Sequence, residues 1–410
     1  MLQKPKNRSN PIRHRSFRKA SPLGKLTEQR FLDKYWHKKP LLIRQAFPGF
    51  STPISPDELA GLACEDEVES RLILEKDGPT PWALERGPFA EERFSTLPET
   101  HWTLLVQEAN RYIPELALLR DAFSFIPNWR SDDVMASYAP VQGSVGPHVD
   151  QYDVFLLQGL GRRRWMINPE PVDADNLRND TELKIMQDFS ASEEWILEPG
   201  DMLYLPPGVA HYGIALDECM TFSIGFRAPS HAELLSSFID DRVLDLDDTV
   251  RYSDRDLQIQ KNPGEITHRT LTNIHSILQE AVSDNERINR WFGRYITEPR
   301  HSEPPEKRDP FLSPAEFRAQ LEQTGWLVRS ESSRFAFVQR PDRVFLYIDG
   351  QEYDLLPGWI YIAQLVCNHR YLKLELLKPY LDDTVFIELF CALYNHAKFD
   401  FPDDSWMSLK

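Results

Sequence analysis

The sequence predicts an α+β chain: a jelly-roll barrel (a double-stranded β-helix), then a helical region, then a winged-helix-like module at the C-terminal end. Three observations predict this order. Short strand-like runs separated by Gly and Pro occupy residues 133–227, which is typical of a barrel or a double-sheet jelly roll. From Ser230 onward the apolar residues recur at helical spacing. A proline-rich stretch at 298–314 then precedes a small mixed α/β region.

Length and composition limit the class of protein. A chain of 410 residues is too long for one ordinary core, so we expect two or three domains. No run of 18 apolar residues is present and the N-terminus lacks the apolar core of a secretory signal, so we expect no membrane association. The four cysteines are far apart and form no CxxC pair, which favours reduced thiols in a cytoplasmic protein over disulfides or a zinc site.

Charge is distributed unevenly along the chain. The formal net charge is −16, yet residues 1–27 contain eight Lys and Arg and no acidic residue. An acidic body repels nucleic acid and attracts a basic protein, such as a ribosomal protein or a histone tail. We interpret the basic arm as a disordered, solubilising tail, with contact to RNA as the alternative, because charge runs are usually solvated. Its composition also fits a mitochondrial transit peptide.

The region before the barrel is predicted to mix helices and strands. Residues 28–36 have a helical pattern, and Ser55 is a candidate N-cap for a helix with Pro56 at its first position. Residues 102–109 and 116–123 are also predicted to be helices. Strands are expected at the following positions: 70–74, 81–84, 133–138, 154–158, 162–167, 201–205, 211–214 and 220–227.

Two short motifs within the barrel region indicate a metal centre. His148 and Asp150 are two residues apart on an extended segment, so their side chains point to the same side. His211 follows a strand-like run and a rigid Pro-Pro-Gly corner at 206–208. Two imidazoles and one carboxylate on one face of a metal, with the other face open, form the facial triad of non-haem Fe(II) oxygenases.

The H-x-[DE] pattern alone carries little information. It occurs three times in the chain, against roughly 1.7 occurrences expected by chance. The pair at 231 and 233 opens a predicted helix, where residues two apart face away from each other. The pair at 301 and 303 lies in the proline-rich stretch. An isolated histidine at a strand start is usually structural, so the prediction for His148 depends on its partners.

Arg163 is the partner that indicates the cosubstrate. In the strand at 162–167 it shares a face with Trp165 and Ile167, both apolar. An arginine on an inward face is costly unless an anion pairs with it, and a guanidinium can hold a carboxylate through two hydrogen bonds. Fe(II) and a carboxylate clamp together are what a 2-oxoglutarate-dependent oxygenase requires. The alternative is an internal Arg–Asp pair.

These motifs resemble the bacterial ribosomal oxygenases of the JmjC/cupin class, with the likeness extending over roughly residues 28–300. The segments that carry the resemblance are Gly146-Pro147-His148-x-Asp150-Gln151-Tyr152-Asp153, Gly161-Arg162-Arg163-Arg164-Trp165, Pro206-Pro207-Gly208 and Gly225-Phe226-Arg227. The resemblance implies arginine 3-hydroxylation of large-subunit ribosomal protein sixteen, using Fe(II), 2-oxoglutarate and O2. It also implies that His148, Asp150 and His211 bind the iron and that Arg163 holds the distal carboxylate of 2-oxoglutarate.

The resemblance also implies a domain order and a homodimer formed through the helical region. The predicted domains are a basic arm (1–27), a catalytic barrel (28–229), a helical dimerisation region (230–297), a linker (298–314) and a winged-helix-like domain (315–410). Two other functions fit the same residues. One is a JmjC oxygenase with another target, namely a histidine hydroxylase or a lysine demethylase, and the other is a non-catalytic cupin adaptor that binds metal. Strand residues Ser137, Thr221 and Ser223 are interpreted as ordinary strand polarity.

Overall fold

The computed structural model describes residues 21–76, 81–173, 175–299 and 307–402. The predictions for most of the basic arm and for the proline-rich centre of the linker therefore lie outside the described residues. The chain forms two compact units. Among the described residues, the first comprises those within Met1–Ala228, Pro299–Ser333 and Asn368–Lys410, and the second those within Pro229–Glu298 and Arg334–Cys367. Within the described ranges, no helix combines the length and the apolar character needed to cross a membrane.

The first unit begins with helices and strands that alternate. They are α1 (Glu28–Lys34), β1 (Leu41–Ile43), α2 (Pro56–Leu62), β2 (Ser70–Glu75), β3 (Trp82–Arg86), α3 (Glu91–Ser95), β4 (Trp102–Val106) and α4 (Pro114–Asp121). The predicted cap of α2 is confirmed, because the Glu58 backbone N–H donates to Ser55 Oγ at 3.2 Å and the Ser55 N–H donates to the Glu58 carboxylate at 2.8 Å. This reciprocal capping box satisfies backbone donors that a helix start leaves open.

The predicted helix at 102–109 is wrong. Residues Trp102–Val106 form the strand β4, which pairs with β2 on one side and with the barrel strand at 131–139 on the other. Four consecutive residues of this strand, from 103 to 106, are buried. A strand covered on both faces has no polar–apolar alternation, so its apolar run cannot be distinguished from a buried helix by periodicity.

Eight further strands complete the barrel. They are β5 (Ser131–Ala139), β6 (His148–Val149), β7 (Asp153–Leu160), β8 (Arg163–Asn168), β9 (Glu193–Leu197), β10 (Met202–Leu205), β11 (Ala210–Ala215) and β12 (Cys219–Phe226). Six of them match predicted strands. The pattern did not predict β9, an edge strand with exposed charges, and the extended segment expected around His148 and Asp150 is a strand only at His148–Val149 (β6).

These strands form two antiparallel sheets. The larger has the order β1-β10-β7-β12-β5-β4-β2-β3, and the smaller has the order β6-β11-β8-β9. Leu156 and Leu203 from the larger sheet share one buried cluster with Trp165 and Leu197 from the smaller sheet. The non-consecutive strand order and the packed inner faces are those of a jelly roll, which confirms the predicted barrel.

The second unit begins with three helices, α5 (His231–Val243), α6 (His268–Val282) and α7 (Asn285–Thr297). α5 and α7 pack together through Phe238 and Trp291, whose ring centroids are 5.3 Å apart. The predicted apolar face of α6 is present, but it is exposed in the single chain, as in Leu271 (45% exposed) and Leu278 (59%).

Elements of both units alternate in the last third of the chain. They are α8 (Pro314–Thr324), β13 (Trp326–Arg329), β14 (Phe335–Gln339), β15 (Val344–Ile348), β16 (Gln351–Leu355), α9 (Ile360–Asn368), β17 (Tyr371–Lys373), α10 (Leu374–Leu377), α11 (Thr384–Asn395) and β18 (Phe399–Asp400). In the second unit β14, β15 and β16 form an antiparallel sheet, whereas in the first unit β13 lies between β17 and β18.

Candidate metal centre and carboxylate clamp

The two histidines of the predicted centre lie on neighbouring strands. β6 pairs with β11 in an antiparallel register that sets His148 directly opposite His211. Residues opposite each other in such a pair project to the same face of the sheet. The two imidazole centroids are 4.2 Å apart as a result.

Asp150 completes the cluster from the bend that follows β6. One of its carboxylate oxygens is 3.7 Å from His211 Nε2 and 4.0 Å from His148 Nε2. The backbone positions this bend, because the Gly208 N–H donates to the Asp150 carbonyl at 2.8 Å. One potential ligand atom from each of the three side chains lies within 4.8 Å of the others, a spacing that a single divalent ion can bridge.

The orientation of both imidazoles is set by backbone carbonyls. His148 Nδ1 is 2.9 Å from the Gly146 carbonyl, and His211 Nδ1 is 3.0 Å from the Val209 carbonyl. Each Nδ1–H donates to its carbonyl in the tautomer that this geometry favours. The lone pair is then on Nε2, the atom that faces Asp150, which is how histidine ligands of metals are normally held.

The electrostatics of the cluster keep His211 neutral. Burial and, to a smaller extent, the neighbouring His148 lower the pKa of His211 to about 4, while Asp150 opposes the change. A neutral imidazole is the form that binds a metal. Tyr152, which follows Asp150 closely, has the opposite shift: burial of its hydroxyl and the adjacent Asp150 carboxylate raise the pKa of this phenol above its ordinary range.

Arg163 lies on the buried face of β8, as predicted. Arg163 is 3% exposed, and in the described part of the chain its Nε and Nη2 atoms have no hydrogen-bond partner. The guanidinium carbon lies 5.7 Å from the centroid of the Trp165 ring. The neighbouring Arg162 is exposed and pairs with Asp217 at 2.8 Å. The geometry therefore shows no internal Arg–Asp pair for Arg163 among the described residues and leaves two buried donors directed at no protein group there.

All four predicted site residues line one cavity of about 500 Å³. Asp132 and Asp133 also line it, and sequence reasoning did not select them. The Asp133 carboxylate accepts from Gln107 Nε2 at 2.7 Å and from the Glu108 N–H at 3.0 Å, so its position is fixed. Two consecutive acids at the start of a predicted barrel strand are the signal that was available for this part of the site.

Three residues that the sequence assigned to ordinary strand polarity, Ser137, Thr221 and Ser223, also line the cavity.

The other two H-x-[DE] pairs do not belong to this site. Glu233 caps α5, since its carboxylate accepts from the Ser230 N–H at 2.6 Å. The pair at 301 and 303 lies outside the described residues.

The residues present fit a divalent metal and a small carboxylate ligand. Two imidazole nitrogens and one carboxylate suit iron, and the two orphaned guanidinium donors of Arg163 suit an anion in the same cavity. A jelly-roll barrel with this arrangement defines the class of non-haem iron oxygenases that use a 2-oxo acid.

Comparison with known proteins identifies the family. The JmjC domain family matches residues 118–234, and the ROXA-like winged helix family matches residues 279–397. The chain is 37% identical over 365 residues to the ribosomal protein uL16 3-hydroxylase of Escherichia coli K12, covering 89% of this chain and 95% of that protein. It is 32% identical over 340 residues to a probable ribosomal oxygenase of Haemophilus influenzae, covering 81% and 83%.

Solved structures agree with the sequence comparison. The crystal structure of E. coli ycfD matches with a TM-score of 0.84 and 35% identity, covering 92% of this chain and 99% of that one. The complex of that ribosomal oxygenase with cobalt and 2-oxoglutarate matches with a TM-score of 0.81. The chain belongs to the JmjC family of ribosomal oxygenases, which confirms the predicted family, the predicted fold class and the winged helix in the C-terminal region.

Proposed function

We propose that this protein is an Fe(II)- and 2-oxoglutarate-dependent hydroxylase that adds oxygen to C3 of an arginine in a large-subunit ribosomal protein. The observation that carries the proposal is Arg163. It is buried, two of its donors have no partner among the described residues, and it shares a cavity with His148, Asp150 and His211. A buried cation of this kind calls for an anionic ligand.

His148, Asp150 and His211 would hold the iron through the two Nε2 atoms and one carboxylate oxygen. When bound, Fe(II) and 2-oxoglutarate would supply electrons that reduce O2, so that one oxygen atom enters the substrate C–H bond and the other enters succinate, with release of CO2. The chain contributes orientation, because the carbonyls of Gly146 and Val209 fix both imidazoles. It also supplies a His211 that is already deprotonated at neutral pH, so that no proton has to leave when metal binds.

Arg163 would bind the distal carboxylate of 2-oxoglutarate. A guanidinium presents its donors in a planar fork that matches a carboxylate, and burial strengthens each of these hydrogen bonds. Trp165 stacks on the same strand face, 5.7 Å from the guanidinium carbon, and restricts the positions that the arginine side chain can adopt.

Two acidic residues of the cavity wall can attract a cationic substrate, although Arg71 and Lys184 also line the cavity and Asp132 pairs with Arg227 at 2.9 Å. Asp132 and Asp133 line the cavity together with Tyr152, and their negative charges contribute to the raised pKa of that phenol. An entering guanidinium would be attracted to these carboxylates and would place its aliphatic carbons nearer the metal ligands. The E. coli relative is named for hydroxylation of ribosomal protein uL16, and we propose the corresponding protein as the substrate here.

The test is a hydroxylation assay. The full chain, Fe(II) and 2-oxoglutarate are incubated with purified uL16 and with peptides of other basic ribosomal proteins, and the products are mapped by tandem mass spectrometry. We expect one added oxygen on a single arginine, with consumption of 2-oxoglutarate. The matched inactive control is Asp150→Asn, which keeps the shape of the ligand and removes its charge. Absence of oxygen transfer to every peptide would contradict the proposal.

The same assay separates the two alternative functions. A histidine hydroxylase would place the added oxygen on histidine, and a lysine demethylase would remove a methyl group from a methylated lysine. A metal-binding adaptor would bind the partner without consuming 2-oxoglutarate. Each outcome has a different product mass or no product.

The second unit supports a homodimer. The helical region carries large apolar side chains that the single chain leaves exposed, among them Leu235 (59%), Ile277 (50%) and Leu278 (59%). Between α5 and α6 the same is true of Leu257 (67%) and Ile266 (70%). Exposed apolar surface of this extent usually marks an interaction site. We propose that residues 230–297 bind a second copy of the chain. We also propose that the enzyme works in the cytoplasm, where ribosomal proteins are made.

A further inference from the structure

The connection between β8 and β9 contains a small hairpin that reaches the metal centre. Leu177 and Met186 form an antiparallel bridge within it. The Arg178 N–H donates to the Ile185 carbonyl at 2.8 Å, and the Gln187 N–H donates to the Asn176 carbonyl at 3.0 Å. These bonds hold residues 177–187 in a defined shape. We call this segment the 177–187 hairpin.

The hairpin packs on the turn that precedes His148. Ile185 is 2% exposed, and a Cβ added to Gly146 would lie 2.8 Å from Ile185 Cδ1. The Met186 N–H donates to the Pro147 carbonyl at 2.8 Å. One apolar contact and one hydrogen bond therefore fix two consecutive residues of this turn, and Ile185 lines the same cavity as the predicted metal ligands.

This turn fixes the position of His148, the first histidine of the metal centre. Gly146 has φ +79°, a left-handed conformation that favours glycine. Its N–H donates to Ser144 Oγ at 3.0 Å, and its carbonyl is the partner of His148 Nδ1. A rotation of this peptide would move the carbonyl and with it the imidazole.

We propose that Ile185 is a positioning residue for the metal centre: it fills the space beside Gly146 and so holds the carbonyl that orients His148. His211 does not depend on the hairpin in this way, because its carbonyl partner, Val209, follows the rigid corner that leads into β11. The inference rests on the metal centre of the proposed function. Loss of Ile185 should therefore weaken metal binding through a side chain that is not itself a ligand.

The experiment measures Mn(II) affinity of the metal-free, full-length protein by titration calorimetry, with the EPR spectrum of bound Mn(II) as a second readout. For Ile185→Ala we expect Kd to rise about 10-fold, as for other residues that support a ligand from outside the coordination sphere. Ile185→Val keeps most of the contact and should raise Kd by a measurable factor that is smaller than that of Ile185→Ala. The matched control is Ile196→Ala, which removes the same atoms from a side chain on β9 that is 44% exposed.

A double substitution tests whether the effect passes through Gly146. Gly146→Ala introduces a Cβ that collides with Ile185 and should also raise Kd. In the Ile185→Ala background part of this collision is removed, so the two effects should combine to less than their sum. Additive effects would show that Ile185 acts elsewhere.

The outcomes separate this inference from the proposed function. Wild-type protein that binds no Mn(II) would contradict the proposed function itself. Wild-type binding with unchanged affinity and spectrum in both Ile185 variants would overturn only the role of Ile185. Because a purely structural role would lower the melting temperature without changing affinity, Kd is measured where all variants are fully folded by circular dichroism. Should Ile185→Ala fail to fold, the Val variant is expected to show a smaller rise in Kd, and wild-type affinity in that variant would count against the inference.

Discussion

Arg163 should lower the stability of the ligand-free protein and raise its affinity for 2-oxoglutarate, and these two effects can be measured separately. Its guanidinium is buried, and two of its donors have no hydrogen-bond partner within the described ranges. An unsatisfied buried polar group destabilises a protein by about 1–3 kcal/mol, and more if charged. We predict that Arg163→Met raises the free energy of unfolding of the ligand-free protein by at least ~1 kcal/mol. The same variant should bind 2-oxoglutarate at least ~100-fold more weakly.

Urea denaturation and calorimetric titration of 2-oxoglutarate into the metal-loaded protein measure the two effects. The control is Arg162→Met, the adjacent arginine, which is exposed and pairs with Asp217. It should change neither quantity by more than a small amount, since an exposed ion pair contributes little. A loss of stability together with unchanged affinity in the Arg163 variant would contradict the assigned role.

His211 gives a second prediction at the same scale, in its pH dependence. Burial lowers the pKa of its imidazole to about 4 in the folded protein, from an ordinary value of 6.5. Between these pH values the unfolded chain binds a proton that the folded chain does not, so stability falls as pH decreases through this range. For the metal-free protein we predict that this residue contributes a loss of about 3 kcal/mol between pH 6.5 and pH 4.

Denaturation curves at several pH values check this prediction. The difference between wild type and His211→Gln isolates the contribution of this group, because the other titrating groups are shared. The difference should be constant above pH 7 and should shrink as the pH falls. A difference that does not change with pH would show that His211 is already protonated in the folded protein or is exposed to solvent.

The site residues that could be predicted from sequence are those that belong to short local motifs. His148, Asp150 and His211 follow from spacing and turn chemistry, and Arg163 follows from strand periodicity. Asp133 was not selected although it belongs to a local acidic pair, and Ile185 could not be found in this way. Ile185 lies 39 positions beyond Gly146, and only the folded hairpin brings the two together. Contacts between distant loops leave no local pattern, whereas ligands at the ends of strands do.

At the scale of elements, α7 and β15 pack so closely that a glycine is required between them. A Cβ at Gly293 on α7 would overlap the ring of Tyr347 on β15, which is 1% exposed. The ring is fixed inside the second unit and cannot move away cheaply. We predict that Gly293→Ala destabilises the protein by about 1–3 kcal/mol, as overpacked cores do.

Thermal and chemical denaturation test the prediction against a glycine in another helix. A Cβ added to Gly61 on α2 would meet no atom of the described chain within 4 Å, so Gly61→Ala should stabilise the protein by about 0.5 kcal/mol through helix propensity. Opposite signs for the two variants are expected. Equal, small effects at both positions would mean that α7 shifts away from β15.

Helices and strands could be predicted from sequence where their apolar residues recur at a helical or a strand period. The helices after Ser230 and most barrel strands fall into this group, and the N-cap of α2 at Ser55 was predicted from its residue type. β4 was wrong because both of its faces are covered, so its four buried residues carry no alternation. β9 was missed for the opposite reason, since an exposed edge strand with two glutamates resembles a loop.

At the scale of the whole molecule, the catalytic cavity and the proposed dimer surface belong to different parts of the chain. The cavity is lined by residues between Arg71 and Gly225, all in the first unit. The exposed apolar residues of α5 and α6 belong to the second. Assembly and metal binding should therefore respond to different substitutions.

We predict that Ile277→Asp with Leu278→Asp converts a dimer into a monomer. Both side chains are at least half exposed in the single chain, at 50% and 59%, so the charges cost little in the monomer. In an apolar interface each unpaired carboxylate costs several kcal/mol, which raises the dimer dissociation constant by at least ~100-fold. Sedimentation velocity at micromolar concentration measures the change, with Val385→Asp on α11, 63% exposed, as the control.

The monomer should retain the Mn(II) affinity of the wild type, because no described residue of the second unit lines the cavity. Its circular dichroism spectrum should also be unchanged, because neither side chain is buried within the chain. If the wild type already sediments as a monomer, the exposed face of α6 binds something other than a second copy. If the double variant remains a dimer, the interface lies outside α6 and the proposed surface is wrong.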